Sequence, residues 1–395
     1  MKNNRVDPLT DQTVASSKRD VKLGGQETDT GNRHGERRVF AENSLTYWGL
    51  EGTFMSLELM ESTMGKAHKA PGKHFRRGIS HIELARMFPD EAASREWFER
   101  ILWSEGRFCP RCGTDNNYAC RHPKMPYRCR DCKRYFSVKT GTVMEQSNIP
   151  LQKWVWGIYL ELTSLKSVSA MKLHRDLGIT QKSAWFMLHR LREVFVEMGP
   201  QVLFDGPVEA DETFFGGEAR RMNSAQRKKL PPGRGSVGKV AVVGVKDRST
   251  NAVAARVVAQ TDGETLRGYV REHVEPGADL YTDGEPGYRG LREYEHGVVR
   301  HSAGEYVDGH VHTQGIESFW SMLKRAWKGT FHKFSPKHLQ RYVDEFAGKH
   351  NIRDLDTMTQ MAMVTEGMAG KRLTYKDLIK PNGLPSHARP PADEF

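Results

Sequence analysis

At 395 residues the chain is long enough for two or more domains and a substantial buried core. Its 60 Lys and Arg against 49 Asp and Glu leave a net charge of +11, which favours an anionic partner, nucleic acid foremost. No apolar run approaches the roughly 18 residues that cross a bilayer, and the N-terminus lacks the apolar core of a signal peptide, so no membrane partner and a cytoplasmic location are expected. Four of the five cysteines fall in two C-x-x-C pairs, which argues against a disulfide framework and for metal binding in a reducing compartment.

Residues 1–77 are polar, rich in Gly, Lys, Arg, Asn and Thr, and carry no sustained periodicity; they read as a disordered extension. Tyr47, Trp48, Leu50 and Phe54 suit one short local helix, and Met55, Met60 and Met64 are each plausible alternative starts. Order is expected from Ile79. The segment 78–104 contains FPDEAASREWFERILW, in which Pro89 opens a helix with Asp90 and Glu91 in its first turn, where the helix dipole favours acids. Ala93, Trp97 and Ile101 form its apolar stripe.

In residues 105–146, Cys109, Cys112, Cys129 and Cys132 follow C-x₂-C-x₁₆-C-x₂-C. This is the spacing of a structural Zn²⁺ site in which two tight knuckles each offer two thiolates to a tetrahedral ion. Cys120 and His122 lie between the knuckles and read as a spare small residue and a surface side chain. Arg128, Arg130, Lys133 and Arg134 interleave with aromatics between Tyr127 and Phe136. A ribbon so decorated suits DNA contact through Arg128, Lys133 and Arg134; solvated charge is the other reading.

Residues 150–198 read as helices. LQKWVWGIYL is one; SVSAMKLHRDLGITQKSAWFMLHRLREVF then gives a helix, a turn at Gly178 and a second helix capped by Thr180. Ala184, Leu188, Leu191 and Phe195 form the inner stripe. Gln181, Lys182 and Ser183 are exposed in the first turn, with His189 and Arg190 further along. Helix-turn-helix spacing would set this second helix in a DNA major groove, with Gln181, Lys182, Ser183 and Arg190 as candidate contacts. A plain helical hairpin has the same pattern.

From 202 to 350 the pattern is α/β. Asp211 ends a strand-like run, GPVEADETFFGG, in which apolar Val208 and Ala210 alternate with Glu209 and Asp211. A polar loop from Ala219 to Lys239 then carries Arg220, Arg221, Arg227, Lys228, Lys229, Arg234 and Lys239 with no acid, suited to a phosphate backbone or simply to solvent. VAVVGVKDR and AVAARVVAQ form a hairpin. A helix from Gly263 to Val274 follows, then a strand ending at Asp283, whose Asp-Gly signals a turn. Consecutive strands, a helix, a strand and a later helix suit the meander opening of a ribonuclease H-like sheet. Residues 351–395 read as a helical and irregular tail.

HTQGIESFWSMLKRAWKGT, from His312, supplies that later helix. Ile316, Phe319, Trp320, Leu323 and Trp327 form its apolar stripe, while Glu317, Lys324, Arg325 and Lys328 follow one edge. One carboxylate followed along the same side by three cations suits a site that holds a metal ion and a nucleic-acid phosphate together. Asp211, Asp283 and Glu317, at the tips of two strands and on a helix, can converge at one sheet edge. Three such oxygen ligands satisfy Mg²⁺ (or Mn²⁺), and two ions there would clamp the attacking and leaving oxygens of a phosphodiester. His312 either orients a phosphate or water or is structural, and Lys333, Lys337, His338 and Arg341 extend the basic surface.

With these motifs in this order the chain resembles bacterial insertion-sequence transposases of the DDE type, in the group that has an N-terminal zinc ribbon and is related to the eukaryotic Merlin transposons. The resemblance covers about 79–379. It is carried by MFPDEAASREWF, CPRCG with YRCRDCKRYFSVKTGTVM, GITQKSAWFMLHRLRE, VEADETFFGG, YTDGEPGY, HTQGIESFW and KGTFHKFSPKHLQRYVDEF. By that pattern Asp211, Asp283 and Glu317 are the metal-binding catalytic triad. Some relatives carry Asn in the third role; HTQGIE offers Gln314 and Glu317, and Glu317 is chosen on its ligand chemistry. Lys349 stands where the family pattern suggests Arg, and the long N-terminal extension is not part of that pattern. The resemblance implies a ribonuclease H-like catalytic domain, metal-dependent cleavage at terminal inverted repeats, strand transfer into target DNA, and a homo-oligomer working on DNA in the bacterial cytoplasm and nucleoid. Two other classes stay open: a DNA-binding regulator without catalysis, and a ribonuclease H-type nuclease that cuts without joining.

Overall fold

The computed structural model describes residues 78–216, 238–299 and 310–384, single positions at 224 and 228, and the backbone of two short strands, β1 (His68–Lys69) and β2 (Phe75–Arg76). Apart from β1 and β2, which fall inside it, the expected disordered extension lies outside the described residues, as do the alternative starts and most of the basic loop, Arg220, Arg221, Arg227, Lys229 and Arg234 included. All described residues belong to one compact unit, Leu59–Phe395. Among them no helix is long and apolar enough to cross a membrane.

Helix α1 (His81–Met87) opens with a capping box. The Ser80 hydroxyl accepts from the Glu83 amide, and the Glu83 carboxylate accepts from the Ser80 amide. Helix α2 (Glu91–Leu102) is capped by Asp90, which accepts from the Ala93 amide at 2.8 Å. Asp90 therefore precedes the helix instead of lying in its first turn. Its buried face is Ser94, Trp97 and Phe98, while Ala93 and Ile101 are only half-buried. The ribbon follows as three antiparallel strands in the order β3 (Asn117–Ala119), β4 (Tyr127–Cys129) and β5 (Tyr135–Phe136).

Helix α3 (Leu151–Thr163) starts after Pro150, which offers no capping side chain; the Glu91 carboxylate accepts from the amides of Leu151 and Gln152 instead. Helix α4 (Ala170–Leu177) ends at Gly178, whose left-handed φ of 59° suits glycine. Helix α5 (Gln181–Phe195) is capped by Thr180. These helices bury one core with α1 and α2, built on Trp97, Phe98, Trp154, Ile158, Leu173 and Leu188.

The second core is organised by a five-stranded sheet: β6 (Val208–Phe215), β7 (Val240–Asp247), β8 (Val253–Val258), β9 (Asp279–Asp283) and β10 (Glu295–Val299), in spatial order β10-β9-β6-β7-β8. β6, β7 and β8 form an antiparallel meander; β9 runs parallel to both β6 and β10. Helix α6 (Gly263–His273), capped by Asp262, packs Leu266 and Val270 on one face against Val243, Val245 and Leu280. On the other face lie α7 (Gln314–Ala326) and α8 (Leu339–Asn351), against Phe215, Val242 and Val253. Helices α9 (Thr357–Glu366) and α10 (Tyr375–Ile379) follow. Met361 and Val364 of α9 enter the core of the N-terminal helices, so this part of the tail is integral to that module.

Two details place the site. Strand β6 does not end at Asp211: Thr213, Phe214 and Phe215, β-branched and aromatic, continue the ladder to β7 as far as Phe215 opposite Val240. Its ladder to β9, however, stops at Ala210 opposite Thr282, so Asp211 stands where the sheet opens. Opposite Asp211 on β7 is Gly244, where an added Cβ would lie 2.7 Å from the Trp320 indole. Glycine there lets α7 lie close on the sheet.

Candidate active site

Asp211, Glu212 and Asp283 each offer a carboxylate oxygen, all within 4.8 Å of one another. The Asp211 Oδ1 accepts from the Glu212 amide at 2.8 Å. The Asp283 Oδ1 accepts from the Glu285 amide at 3.1 Å, and the buried Tyr288 hydroxyl donates to Glu212 Oε2 at 3.2 Å. Burial first, then the charges of Glu212, Asp283 and Glu317, pushes Asp211 up to about 8. Burial and then Asp283 push Glu212 up to about 7. Three half-buried acids at this spacing repel one another, and a hard divalent cation among their oxygens would relieve that repulsion.

Asp211 and Glu212 open onto a cleft of about 370 Å³ whose other wall is α7, through Glu317, Ser321, Lys324 and Arg325, with Lys328 in the turn just beyond it. Glu317 is exposed, accepts from the Thr313 hydroxyl at 2.9 Å, and lies outside the cluster of three while still acting on Asp211. Lys324 is half-buried; burial lowers its pKa, and Asp211 opposes that shift. Arg325 and Lys328 are exposed. The structure thus brings two of the three expected acids together, adds Glu212 to them, and sets Glu317 across the cleft. Glu212 was missed because strict alternation along a strand sends neighbours to opposite faces. At the rim left open by β9 both side chains reach the same space, and the Asp-Glu doublet in an otherwise apolar strand was the available signal.

Helix α7 is fixed to the sheet by a second set of residues, of which sequence reasoning singled out His312 alone. Its Thr313 supplies no side-chain cap. Buried Glu209, two residues before Asp211, accepts from the Ile316 amide at 2.8 Å and from Arg248 Nε at 2.7 Å. Arg248 also donates to the His310 and His312 carbonyls, to His312 Nδ1 at 2.8 Å, and stacks 4.4 Å from the Tyr281 ring centre. These contacts give His312 the structural role. An added Cβ at Gly315 would come 2.8 Å from Glu209, so the helix can approach the carboxylate this closely only with glycine there.

The four cysteines of the ribbon also converge, all four sulfurs lying within 4.8 Å of one another. Cys109 and Cys132 sulfurs are 3.7 Å apart, and those of Cys112 and Cys129 3.6 Å. A tetrahedron of metal–sulfur bonds about 2.3 Å long has edges of about 3.8 Å, so the set fits a thiolate-bound ion. Cys120 instead donates to the Met125 carbonyl, and His122 is exposed. Arg128 is half-buried, Lys133 and Arg134 exposed.

On α5, Gln181 and Lys182 are exposed and Ser183 is half-buried beside Thr180. Arg190 does not join them. It is buried with its guanidinium 4.2 Å from the Phe186 ring centre, and His189 is buried as well. One turn of helix separates Gln181 and Lys182 from the part of α5 that α8 covers. The expected basic extension is corrected in the same way: Lys337 donates to the Ile379 carbonyl, His338 packs on Trp185 and His189, and Arg341 pairs with Glu193. Lys333 remains exposed. Lys349 donates to the Glu161 and Ser164 carbonyls.

Residues 204–351, which contain every acid of the site, match the ISXO2-like transposase domain. Over these residues the chain is similar to insertion-sequence transposases. Over 281 residues, 68% of the chain and 93% of the relative, it is 27% identical to an uncharacterized protein in transposable element ISH50 of Halobacterium salinarum. Over 101 residues, 25% of the chain and 80% of the relative, it is 29% identical to an uncharacterized transposase-like protein of Haemophilus influenzae. The acidic cluster and the cations facing it thus lie within the matched residues.

Proposed function

We propose that this transposase cuts DNA at insertion-sequence terminal inverted repeats and joins the freed end to target DNA, by a metal-dependent DDE mechanism. The observation that carries the reading is the cluster of Asp211, Glu212 and Asp283, of which Asp211 and Glu212 line one cleft with Lys324 and Arg325 of α7 and Lys328 just beyond it. The meander β6-β7-β8 followed by parallel β9 and β10 supports a ribonuclease H-like catalytic domain. Mg²⁺ or Mn²⁺, when bound, supplies water activation and charge neutralisation at the phosphodiester. Asp211, Glu212 and Asp283 would hold such an ion, with Glu317 across the cleft as a further candidate ligand. Glu317 is also placed to accept a proton from the attacking hydroxyl. Lys324, Arg325 and Lys328 neutralise the strand being cut, and their positioning on a rigid helix is the protein's main share of the rate.

The remaining modules bring DNA to that cleft. Zn²⁺ on Cys109, Cys112, Cys129 and Cys132 holds the ribbon, whose Arg128, Lys133 and Arg134 contact the backbone. Gln181, Lys182 and Ser183 at the start of α5 read bases in the major groove. A homo-oligomer assembled on the transposon ends, in the cytoplasm and on the nucleoid, completes the reading. Incubation with donor DNA carrying the element's ends and Mg²⁺, scored for both cutting and joining, tests it. Wild type is expected to do both, and Asp283→Asn neither, while still binding DNA. Full cutting by that variant refutes the site; cutting without joining reduces the protein to a nuclease, and binding without either to a regulator.

A further inference from the structure

The zinc ribbon has two unlike faces. Inward, Tyr127 and Phe136 pack with Cys109 and Cys129 against Trp103. Outward, strand register aligns three side chains in a row, Tyr118 opposite Arg128 and Arg128 opposite Tyr135. Arg130, two residues beyond Arg128, holds its guanidinium 5.2 Å from the Tyr118 ring centre, and Arg128 holds its own 5.1 Å from that of Tyr135. The His122 ring lies 5.3 Å from Tyr135. Tyr135 is 42% exposed, Tyr118 and Arg128 are half-buried, and Arg130 and His122 are exposed beside the row. Asp115 and Asp131 are the acids between Arg107 and Phe136, and Asp131 is engaged by the Asn116 amide.

Cations alone would suffice for a duplex backbone, since phosphates are reached by long charged side chains in any arrangement. Aromatic rings fixed on a flat, rigid sheet add something a duplex cannot use, because paired bases already have both faces stacked. Unpaired bases have free faces, and rings alternating with guanidinium groups are the arrangement that stacks bases while tracking the strand that carries them. We propose that the outer face of the ribbon binds unpaired nucleotides of the DNA being processed, with bases on Tyr118 and Tyr135 and phosphates on Arg128 and Arg130. This rests on the transposase reading above, in which strand cutting at an element's end frees nucleotides from their partners.

The test uses the zinc-loaded full chain and two probes, a blunt DNA hairpin and the same hairpin with a short oligo-dT arm containing one 2-aminopurine. The arm is expected to tighten wild-type binding about ten-fold, from stacking of one or two bases, and to quench the 2-aminopurine fluorescence. Tyr118→Leu/Tyr135→Leu should lose both effects while binding the blunt hairpin within about two-fold of wild type. Tyr135→Leu alone, at an exposed position, serves if the double variant loses zinc or folds poorly. Equal wild-type affinity for both probes, or an arm preference and quenching that survive in the tyrosine variants, overturns the proposal. Metal-dependent cutting by the same preparation is scored in parallel. A chain that cuts but ignores the arm loses this proposal alone, whereas one that grips the arm but never cuts loses the catalytic reading alone.

Discussion

Replacing Asp211 by Asn should make the metal-free protein more stable. Asp211 is lifted from 3.8 to about 8 by burial and by Glu212, Asp283 and Glu317. A carboxyl raised in the folded state contributes its stability fully below its unfolded value, near pH 4, and loses it as pH rises toward 8. At ~1.4 kcal/mol per pH unit, the anion at pH 7.5 would weaken the fold by at most ~5 kcal/mol, and because the cleft opens to water about half of that is expected. Asn keeps the shape without the charge. In chelator at pH 7.5 the variant should therefore melt roughly 5–10 °C above wild type, at ~2–4 °C per kcal/mol for a domain of this size, and the gap should close toward pH 4.5. Saturating Mg²⁺ reverses the order, stabilising wild type by ~2–3 kcal/mol at about a hundred times its dissociation constant and the variant little. Thermal unfolding at several pH values, with chelator and with Mg²⁺, measures all of this. A variant that melts at or below wild type in chelator at pH 7.5, or that gains as much from Mg²⁺, refutes the picture of mutually repelling ligands.

Glu209→Ala leaves the Ile316 amide and Arg248 without their carboxylate and should cost ~2–4 kcal/mol in chemical denaturation. Glu209→Gln keeps an acceptor for the amide, and is expected to fold while cutting DNA at least ten-fold more slowly, with DNA affinity unchanged in a gel-shift assay. Stripping zinc, or Cys129→Ser, should unfold the ribbon alone, detected as new protease sites confined to residues 105–146. Arg192→Ala removes the 2.8 Å partner of Glu345 and leaves it only Lys349 at 3.8 Å, and should lower stability by ~3–5 kcal/mol in a urea titration.

Local chemistry was legible in the sequence where one short segment decides the outcome. The cysteine knuckles, the Thr180 cap, the Gly178 turn and the α6 helix all rest on contacts within a few residues, and the structure places them within a residue or so of expectation. The site was legible in part. Asp211 and Asp283 could be paired because each follows an apolar strand, but which further acid joins them depends on where the β6–β9 ladder stops, and that is a property of two strands about seventy residues apart. The Glu209–Arg248–His312 clamp was invisible for the same reason: a buried carboxylate in an alternating strand looks like a solvated one until the helix that covers it is placed. Arg190 shows the reverse error. Its position on α5 looked exposed on a helical wheel, and packing from other elements covered it.

That covering also fixes α5 relative to the acidic cleft. Helix α8 serves two cores: Val343 and Phe346 pack under the sheet, and Glu345 on the same helix reaches Arg192 of α5. Burial works against the Glu345 anion, but Arg192 at 2.8 Å and Lys349 at 3.8 Å outweigh it and hold Glu345 below the ordinary carboxylate range. Glu161 of α3, with burial and the Glu345 charge both against ionisation, is pushed well above that range. Lys349 also donates to the Glu161 and Ser164 carbonyls, which ties α8 to α3 as well. A hydrophobic interface of the same area would allow α5 to slide on α8, because non-directional contacts have many near-equivalent registers. A buried network of directed bonds has one, since any shift leaves a charge unpaired in a dry interior at a cost of several kcal/mol. The helix that presents Gln181 and Lys182 is therefore held in a single orientation relative to the sheet that carries Asp211, as a reaction requiring one phosphodiester out of many would demand.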